Sequence, residues 1–142
     1  MPPGPLQSIV VGFDGSPASG RAAAFAMEIA RQGKARLFLV HAREAFPERA
    51  EPTTEEEATS AEDAVAAAVA SWCSRAASEG VALVPVTRPD APAAAILGVA
   101  REVEAGLIVV GTRGLRPIVR AVIGSVSSEV LEKAHVPVTV VP

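Results

Sequence analysis

Two glycines three residues apart, Gly111 and Gly114, follow a short apolar run at Leu107–Val110. An unbroken apolar run of this length is typical of a strand that is buried on both faces of a parallel sheet. Glycine permits a positive φ and lets a ligand approach backbone N–H groups closely. The segment therefore predicts a strand that ends in a loop suited to ligand binding.

Nine residues separate Gly114 from a glycine and a serine, Gly124-Ser125. Ser125 occupies the expected N-cap position of a helix predicted over Val126–Ala134. The unpaired N–H groups and the positive dipole end of a helix N-terminus favour anions. Arg113 lies between the first two glycines, and Arg116 and Arg120 lie between Gly114 and Gly124. They add positive charge, although solvated surface arginines are common. This combination predicts a phosphate site.

The order Gly111, Gly114, Gly124-Ser125, Val126-Ser127 resembles the nucleotide-binding signature of the ATP-binding class of the universal stress protein family. The resemblance covers nearly the whole sequence, from Ile9–Ser16 to Pro137–Val141. It implies an adenine nucleotide as ligand, ATP with Mg²⁺ by preference, and a strand order of 3-2-1-4-5. The residues that it implies at the nucleotide are Gly12, Phe13, Asp14, Val40, Gly111, Arg113, Gly114, Gly124, Ser125, Val126 and Ser127.

The resemblance also implies roles for some of these residues. Asp14 would act on the ribose or, through water, on Mg²⁺, although Asp-Gly is also common turn chemistry. Val40 would contact adenine through its backbone, since its side chain is expected in the core. Ser125 and Ser127 would offer hydroxyl and backbone N–H groups to phosphate. Phe13 departs from the family pattern because it is bulky, so it would either stack on the base or crowd it.

The remaining sequence supplies strands and helices in alternation. Apolar runs predict strands at Ser8–Gly12, Arg36–Ala42, Val81–Thr87 and Val138–Val141, besides the one that begins at Leu107. The first helix is predicted from the Ser16 cap and Pro17 to Gln32, with Gly33 as its stop and Phe25 on its buried stripe. The second helix is predicted from a capping box at Thr54 and Glu57 to a stop near Gly80. The third helix is predicted to begin at Asp90 and Pro92 and to end at Gly106.

These elements predict a single α/β domain with an open, doubly wound, mostly parallel five-stranded sheet and helices on both faces, a Rossmann-like fold. Residues 6–142 form the expected domain and residues 1–5, rich in proline, a mobile tail. The polar segment Arg43–Thr54 is expected to be a flexible loop that closes over the ligand. The last strand, Val138–Val141, should form a free sheet edge, which predicts a homodimer through that strand.

Composition agrees with a globular domain: the protein has 142 residues, of which 49% are hydrophobic and 20% charged. A formal net charge of −3 gives no electrostatic footprint for nucleic acid or an anionic membrane. No apolar run approaches the roughly 20 residues that span a bilayer, and the N-terminus lacks the features of a signal peptide, so a cytoplasmic location is expected. Cys73 is the single cysteine and has no partner for a disulfide.

The sequence favours a nucleotide-binding regulatory module of the stress response over an enzyme. It lacks the G-x-x-x-x-G-K-[ST] pattern of a P-loop. His41 and His135 are remote in sequence from the glycine loop, and both are expected to be structural residues. Two alternatives stay open. One is a dimeric interaction protein of the same fold that binds no nucleotide. The other, less favoured, is a slow ATPase or an adenylate-transferring enzyme.

Overall fold

The fold was analysed in a computed structural model that describes residues 6–43, 55–112 and 123–142, without the side chains of residues 55 and 57–59. Strands and helices alternate along the described residues, as the apolar periodicity predicts. In sequence order the elements are β1 Ser8–Gly12, α1 Pro17–Gly33, β2 Arg36–Ala42, α2 Glu55–Glu79, β3 Ala82–Arg88, α3 Pro92–Glu102, β4 Leu107–Gly111, α4 Ser125–Lys133 and β5 Val138–Val141.

The strands form one five-stranded sheet in the order β3-β2-β1-β4-β5. Every pairing in it is parallel. Parallel neighbours need a crossover connection, and the helices supply it on both faces of the sheet. The predicted strand order and Rossmann-like α/β class are therefore confirmed. The order itself came from the family resemblance, because no local pattern in the sequence specifies it.

Two apolar cores lie on opposite faces of this sheet because successive strand side chains alternate. One core joins Val11, Leu39 and Val109 to α1 and α2. The other joins Val10, Val40 and neighbouring strand residues to α3 and α4. Burial of a side chain of this size stabilises the fold by about 1.5–3 kcal/mol, so the central strands are the most firmly held part of the sheet.

The start of α1 follows the prediction, but its end and its buried stripe do not. The Ser16 hydroxyl accepts a hydrogen bond from Ser19 N at 3.2 Å, and Pro17 is the first helical residue. Gly33 is still helical, and the left-handed residue at the C-cap is Lys34, with φ of 54°. Phe25 is 44% exposed, so its predicted place in the core is wrong, and Met27 is buried instead. Phe25 lies about 100° around the helix from the buried Ala26, which takes its ring off the face that meets the sheet.

Other helix ends also differ from the prediction by one or two residues. The N-cap of α3 is Ala91, whose methyl group can make no capping bond, and Glu104 takes the left-handed conformation after that helix. The N-cap of α4 is Gly124, so Ser125 is the first helical residue and not the cap. Thr54 of the predicted capping box lies outside the described residues. None of the helices in the described part of the protein is long and apolar enough to cross a membrane.

The two glycines Gly33 and Gly80 give a test of these helix ends. A Cβ on either would meet no atom within 4 Å, but only Gly80 has a positive φ, of 74°. We expect Gly33→Ala to raise the free energy of unfolding by about 0.5–1 kcal/mol, because alanine is the better helix former. Gly80→Ala should lower it by about 1–2 kcal/mol, the penalty for a left-handed alanine.

Urea unfolding of both variants at one protein concentration measures these changes. A loss of stability in Gly33→Ala would contradict the helical assignment of this residue and would restore it as the helix stop.

Candidate functional site

Three segments of the protein meet at the carboxyl edge of the sheet, where β1 and β4 lie side by side. The register pairs Val11 with Val109. From β1 the sheet continues to β2 on one side and through β4 to β5 on the other, so the strand order reverses between β1 and β4. Ligands of open α/β sheets bind in the crevice at such a point. The turn after β1, the end of β4 and the start of α4 therefore define the candidate site.

The turn after β1 holds the carboxylate of Asp14 in one position. Asp14 is only 6% exposed, and its Oδ1 accepts a hydrogen bond from Ser16 N at 2.8 Å. Its own N–H donates to Ser19 Oγ at 3.3 Å. Gly15 makes this turn possible through a positive φ of 84°. The second carboxylate oxygen of Asp14, Oδ2, accepts no hydrogen bond from the described residues.

The end of β4 fixes the start of α4 through one residue, Thr112. Its N–H donates to Val141 O at 2.9 Å, and its carbonyl accepts from Gly124 N at 2.6 Å. The same carbonyl lies 3.3 Å from Ser127 Oγ. Two β-strands and the helix N-terminus are thus joined at a single residue. The first turn of α4 consequently lies at the carboxyl edge of β4.

The hydroxyl of Ser127 is committed to this junction. It donates toward the carbonyl oxygens of Gly124, at 3.1 Å, and Thr112. A hydroxyl has one proton, so Ser127 is left with its backbone N–H as a donor for an anion. The N–H groups of Val126 and Ser127 belong to the first helical turn, where α4 contains no carbonyl partner for them. At Ser127, therefore, the donor for an anion is the backbone N–H and not the hydroxyl of the sequence prediction.

Two of the predicted site glycines are required by packing. A Cβ on Gly12 would lie 2.5 Å from Ile96 Cδ1, and one on Gly111 would lie 2.8 Å from the carbonyl carbon of Ala18. Neither has a positive φ, which among the described glycines occurs at Gly15 and Gly80. The expectation that Gly111 adopts a left-handed conformation in the loop is therefore wrong. Its missing side chain lets the first turn of α1 approach β4.

Phe13 and Val40 both lie within the sheet's packing. The Phe13 ring is buried in the core on the α1–α2 side, and the Val40 side chain is buried in the opposite core. Phe13 N donates to Val40 O at 2.8 Å. The ring is therefore held away from the crevice, and the Val40 carbonyl already has a partner.

Ala42, which the sequence analysis did not single out, has a more suitable orientation than Val40. Backbone groups of a strand alternate in direction, so Ala42 N–H and C=O face the β1 side, as those of Val40 do. At Ala42, however, β1 has already turned away at Asp14. His41 Nδ1 lies 3.2 Å from Phe13 O and closes the end of the β1–β2 ladder. Counting two residues on from Val40 along β2 would have identified Ala42 from the sequence.

Other predicted groups lie beyond what the structure describes. Arg113 and Gly114 of the glycine loop, with Arg116 and Arg120, fall in the gap between residues 112 and 123, and the predicted closing loop falls in residues 44–54. Among the described residues no three His, Cys, Asp or Glu side chains group to hold a metal ion. Asp14, which the family resemblance places at the ribose or, through water, at Mg²⁺, is a single carboxylate and does not make a protein-held metal centre by itself.

A parallel sheet in this order, with helices on both faces and a switch point between β1 and β4, defines a doubly wound α/β protein of the Rossmann-like class. The family model described as "Universal stress protein family" matches residues 5–142, and the chain belongs to that family. A curated relative, the universal stress protein in the QAH/OAS sulfhydrylase 3' region of Thermus aquaticus, is 38% identical over 146 residues. That alignment covers 96% of this protein and 98% of the relative.

Two solved structures of similar proteins contain adenine nucleotides. A universal stress protein in complex with cAMP is 31% identical with a TM-score of 0.69, and the match covers 97% of this protein and 98% of that one. A universal stress protein from Archaeoglobus fulgidus in complex with dAMP is 28% identical with a TM-score of 0.65, covering 98% and 100%.

The packing role of Gly111 gives a prediction. Gly111→Ala places a methyl group against the backbone of Ala18 and should lower the free energy of unfolding by about 1–3 kcal/mol, since the backbone cannot move aside freely. Gly12→Ala is the matched control, because its methyl group meets the end of the Ile96 side chain. Its smaller loss should be recovered by adding Ile96→Val, which removes Cδ1.

Urea unfolding and ligand titration of the same variants separate stability from binding. A Gly111→Ala protein that is fully stable would show that this glycine does not serve packing.

Proposed function

We propose that this protein is a regulatory module of the stress response that binds an adenine nucleotide at the carboxyl edge between β1 and β4. One observation carries the proposal. The buried carboxylate of Asp14, fixed by Ser16 N, and the N-terminus of α4, fixed by Thr112, lie at the ends of two neighbouring strands. A hydrogen-bond acceptor and a set of anion-binding donors therefore border one crevice, which suits a ligand with hydroxyl groups at one end and phosphate at the other.

Asp14 is assigned to the ribose. An ionised carboxylate only accepts hydrogen bonds, so its Oδ2 favours a hydroxyl donor and repels a phosphate oxygen. A hydrogen bond between a sugar hydroxyl and this charged group is worth about 1.5–3 kcal/mol. With the ribose against Asp14, the phosphates must extend away from β1 and toward α4.

The phosphates are assigned to the backbone at the start of α4, Ser125, Val126 and Ser127, and to the glycine loop, where Gly111, Arg113, Gly114 and Gly124 are proposed from the sequence. Helix α4 has nine residues and presents the positive end of its dipole to the crevice. Charge-assisted hydrogen bonds from backbone N–H groups to phosphate are strong, and they need no particular side chain.

The base is assigned to the end of β2, beside Gly12 and Phe13. Adenine carries a donor and an acceptor on one edge, and a backbone carbonyl and N–H that face the same way match that pattern. Ala42 offers such a pair beyond the end of β1, whereas the carbonyl of Val40 is already bonded to Phe13 N. We therefore propose that Ala42 takes the role that the sequence analysis gave to Val40.

ATP with Mg²⁺ is the nucleotide that we propose. Mg²⁺ would be held by phosphate oxygens and water molecules, because the described residues form no metal centre of their own and Asp14 is assigned to the ribose. Hydrolysis is expected to be slow or absent. Asp14 is assigned to the ribose and the groups assigned to the phosphates are donors, so none of them can accept a proton from an attacking water.

Calorimetric titration with ATP and Mg²⁺, and with AMP, tests the proposal. We expect a dissociation constant near the micromolar range, roughly −8 kcal/mol. Asp14→Asn keeps an oxygen for Ser16 N but replaces the other acceptor by a donor, and it should weaken binding about tenfold, or about 1.4 kcal/mol. Asp63→Asn, an exposed carboxylate on α2, removes the same charge and should leave the affinity unchanged.

No binding of any adenine nucleotide at millimolar concentration would reject this function in favour of an interaction protein that acts without nucleotide. Turnover above about 1 s⁻¹, the low end of typical enzymes, would favour the ATPase alternative.

A homodimer through β5 is the partner that we propose. Thr112 N bonds to Val141 O and Ile108 N to Pro137 O, so odd-numbered residues of this strand face β4. Val138 and Val140 consequently direct their backbone groups to the free edge. The opposite edge is protected: Arg88 O faces β2, so Pro85 belongs to the outward set of β3 and offers no N–H.

The position of an exposed aromatic residue also favours a dimer through the β5 edge. Arg21 Nε donates to Pro142 O at 2.8 Å, which places this flank of α1 over the end of β5. Phe25 lies one helical turn after Arg21 on that flank and is exposed. An apolar ring beside the unpaired edge of a strand suits a two-fold interface between copies of one protein.

The direction of the β5 backbone gives a prediction. Val140→Pro removes an outward N–H and should convert the dimer to a monomer at micromolar concentration while the monomer keeps its fold. Thr139→Pro removes an N–H on the β4 side and should instead destabilise the monomer, because a ladder bond inside the sheet is lost. Light scattering and thermal unfolding distinguish the two outcomes, and a monomeric parent protein would contradict the proposal.

A further inference from the structure

Helix α2 is much longer than the strand on which it packs. It has 25 residues, and β3 has 7. At about 1.5 Å per residue the helix is about 37 Å long, whereas β3 spans about 23 Å. The helix returns from the carboxyl edge of the sheet to the start of β3, so its first half extends toward and past the edge where the candidate site lies.

Few of the described side chains in the first half of α2 are buried against the rest of the protein. Among the described side chains of this helix, Val65 and Ala76 are buried, 6% and 1% exposed, and they lie three turns apart. Near the N-terminal end an ion pair joins Arg43 and Glu62, 3.7 Å apart. Both of those side chains are more than half exposed, and such a pair contributes little. Among the described side chains between residues 60 and 67, Val65 is the one that is buried, and the partly buried Ala68 and Val69 follow at the start of the second half.

Val65 rests on the turn that holds Asp14. A Cβ built on Gly15 would lie 3.2 Å from Val65 Cγ2, so the valine packs directly over this glycine. Gly15 stands between Asp14 and Ser16, whose hydrogen bond fixes the carboxylate. Because Gly15 has a positive φ of 84° and no side chain, its conformation is restrained mainly by its neighbours. Among these neighbours is Val65.

We propose that the contact between Val65 and Gly15 couples ligand binding at Asp14 to the attachment of the first half of α2. When this half detaches, Val65 leaves Gly15 and the turn loses a support, so Asp14 is held less well for a ligand. A ligand bound to Asp14 favours the state in which the turn is fixed and Val65 is seated. Coupling of this kind is reciprocal: each event strengthens the other by the same factor.

Through this coupling, a ligand in the crevice raises the local stability of α2. A partner protein that binds α2 would then distinguish the ligand-bound from the ligand-free state. The inference rests on the proposed nucleotide function for the identity of the ligand. The contact between Val65 and the Asp14 turn does not depend on the identity of the ligand, so it can be tested in the ligand-free protein.

Amide hydrogen exchange measures the local opening of α2. With saturating ATP and Mg²⁺, exchange at residues 60–69 should slow by about fivefold, the lower end of typical coupling between sites. Residues 70–79, held by Ala76, are the internal reference and should change little. Val65→Ala should abolish the slowing and weaken ATP binding in the titration by the same factor.

Two matched controls separate this contact from general loosening of the helix. Val69→Ala removes the same atoms from a partly buried residue one turn later, and it should keep the slowing. Ala67→Gly weakens the helix at an exposed position, and it should speed exchange with and without ATP while preserving the ratio between the two. Equal slowing in Val65→Ala and Val69→Ala would overturn the proposal, as would bound ATP with no change at residues 60–69.

Failure of ATP to bind would reject the proposed nucleotide function and leave the mechanical link to be decided in the ligand-free protein. There, Val65→Ala should speed exchange of the Ser16 amide, which donates to Asp14 Oδ1, by about fivefold relative to Val69→Ala. Equal exchange of the Ser16 amide in the two variants would overturn the coupling.

Discussion

The parallel pairing of β1 with β4 is the constraint on which the candidate site depends. It brings two strands that are about a hundred residues apart in sequence to one edge, with Val11 beside Val109. Each strand then turns away differently. After β1, the hydrogen bond from Ser16 N fixes Asp14, and after β4, the carbonyl of Thr112 receives Gly124 N and fixes the start of α4. Without this pairing the acidic turn and the helix N-terminus would not border the same crevice.

The central strands β1, β2 and β4 could be predicted from the sequence because their apolar runs reflect burial on both faces. The outer strands β3 and β5 are only partly buried, and their apolar runs were the remaining signal. The strand order could not be predicted in this way, since pairing depends on contacts between distant segments, and here it was supplied by the family resemblance. Helix ends were less predictable. The first helix continues through Gly33 and uses Lys34 at the left-handed position, because local propensities at this point differ by little and packing decides.

Only part of the candidate site could be predicted, because some of its residues carry local signals and others depend on contacts between distant segments. Asp14 and the N-terminus of α4 carry local signals, a turn dipeptide and a helix start, and both lie at the crevice. Gly111 has a packing role against Ala18 that no motif specifies. Val40 was chosen by similarity, whereas the alternation of backbone directions along β2 favours Ala42. Arg113 and Gly114 stay predictions from the sequence.

In the proposed complex, one adenine nucleotide spans the crevice from the Asp14 turn to the start of α4. The most direct measurement is an amide nuclear magnetic resonance titration of the isotopically labelled protein with ATP and Mg²⁺. We expect saturable shifts at Asp14, Gly15 and Ala42 on one side and at Val126 and Ser127 on the other, all with one dissociation constant. Shifts confined to the far side of the sheet, at the amino ends of the strands, or no saturable shift at all would contradict this proposal.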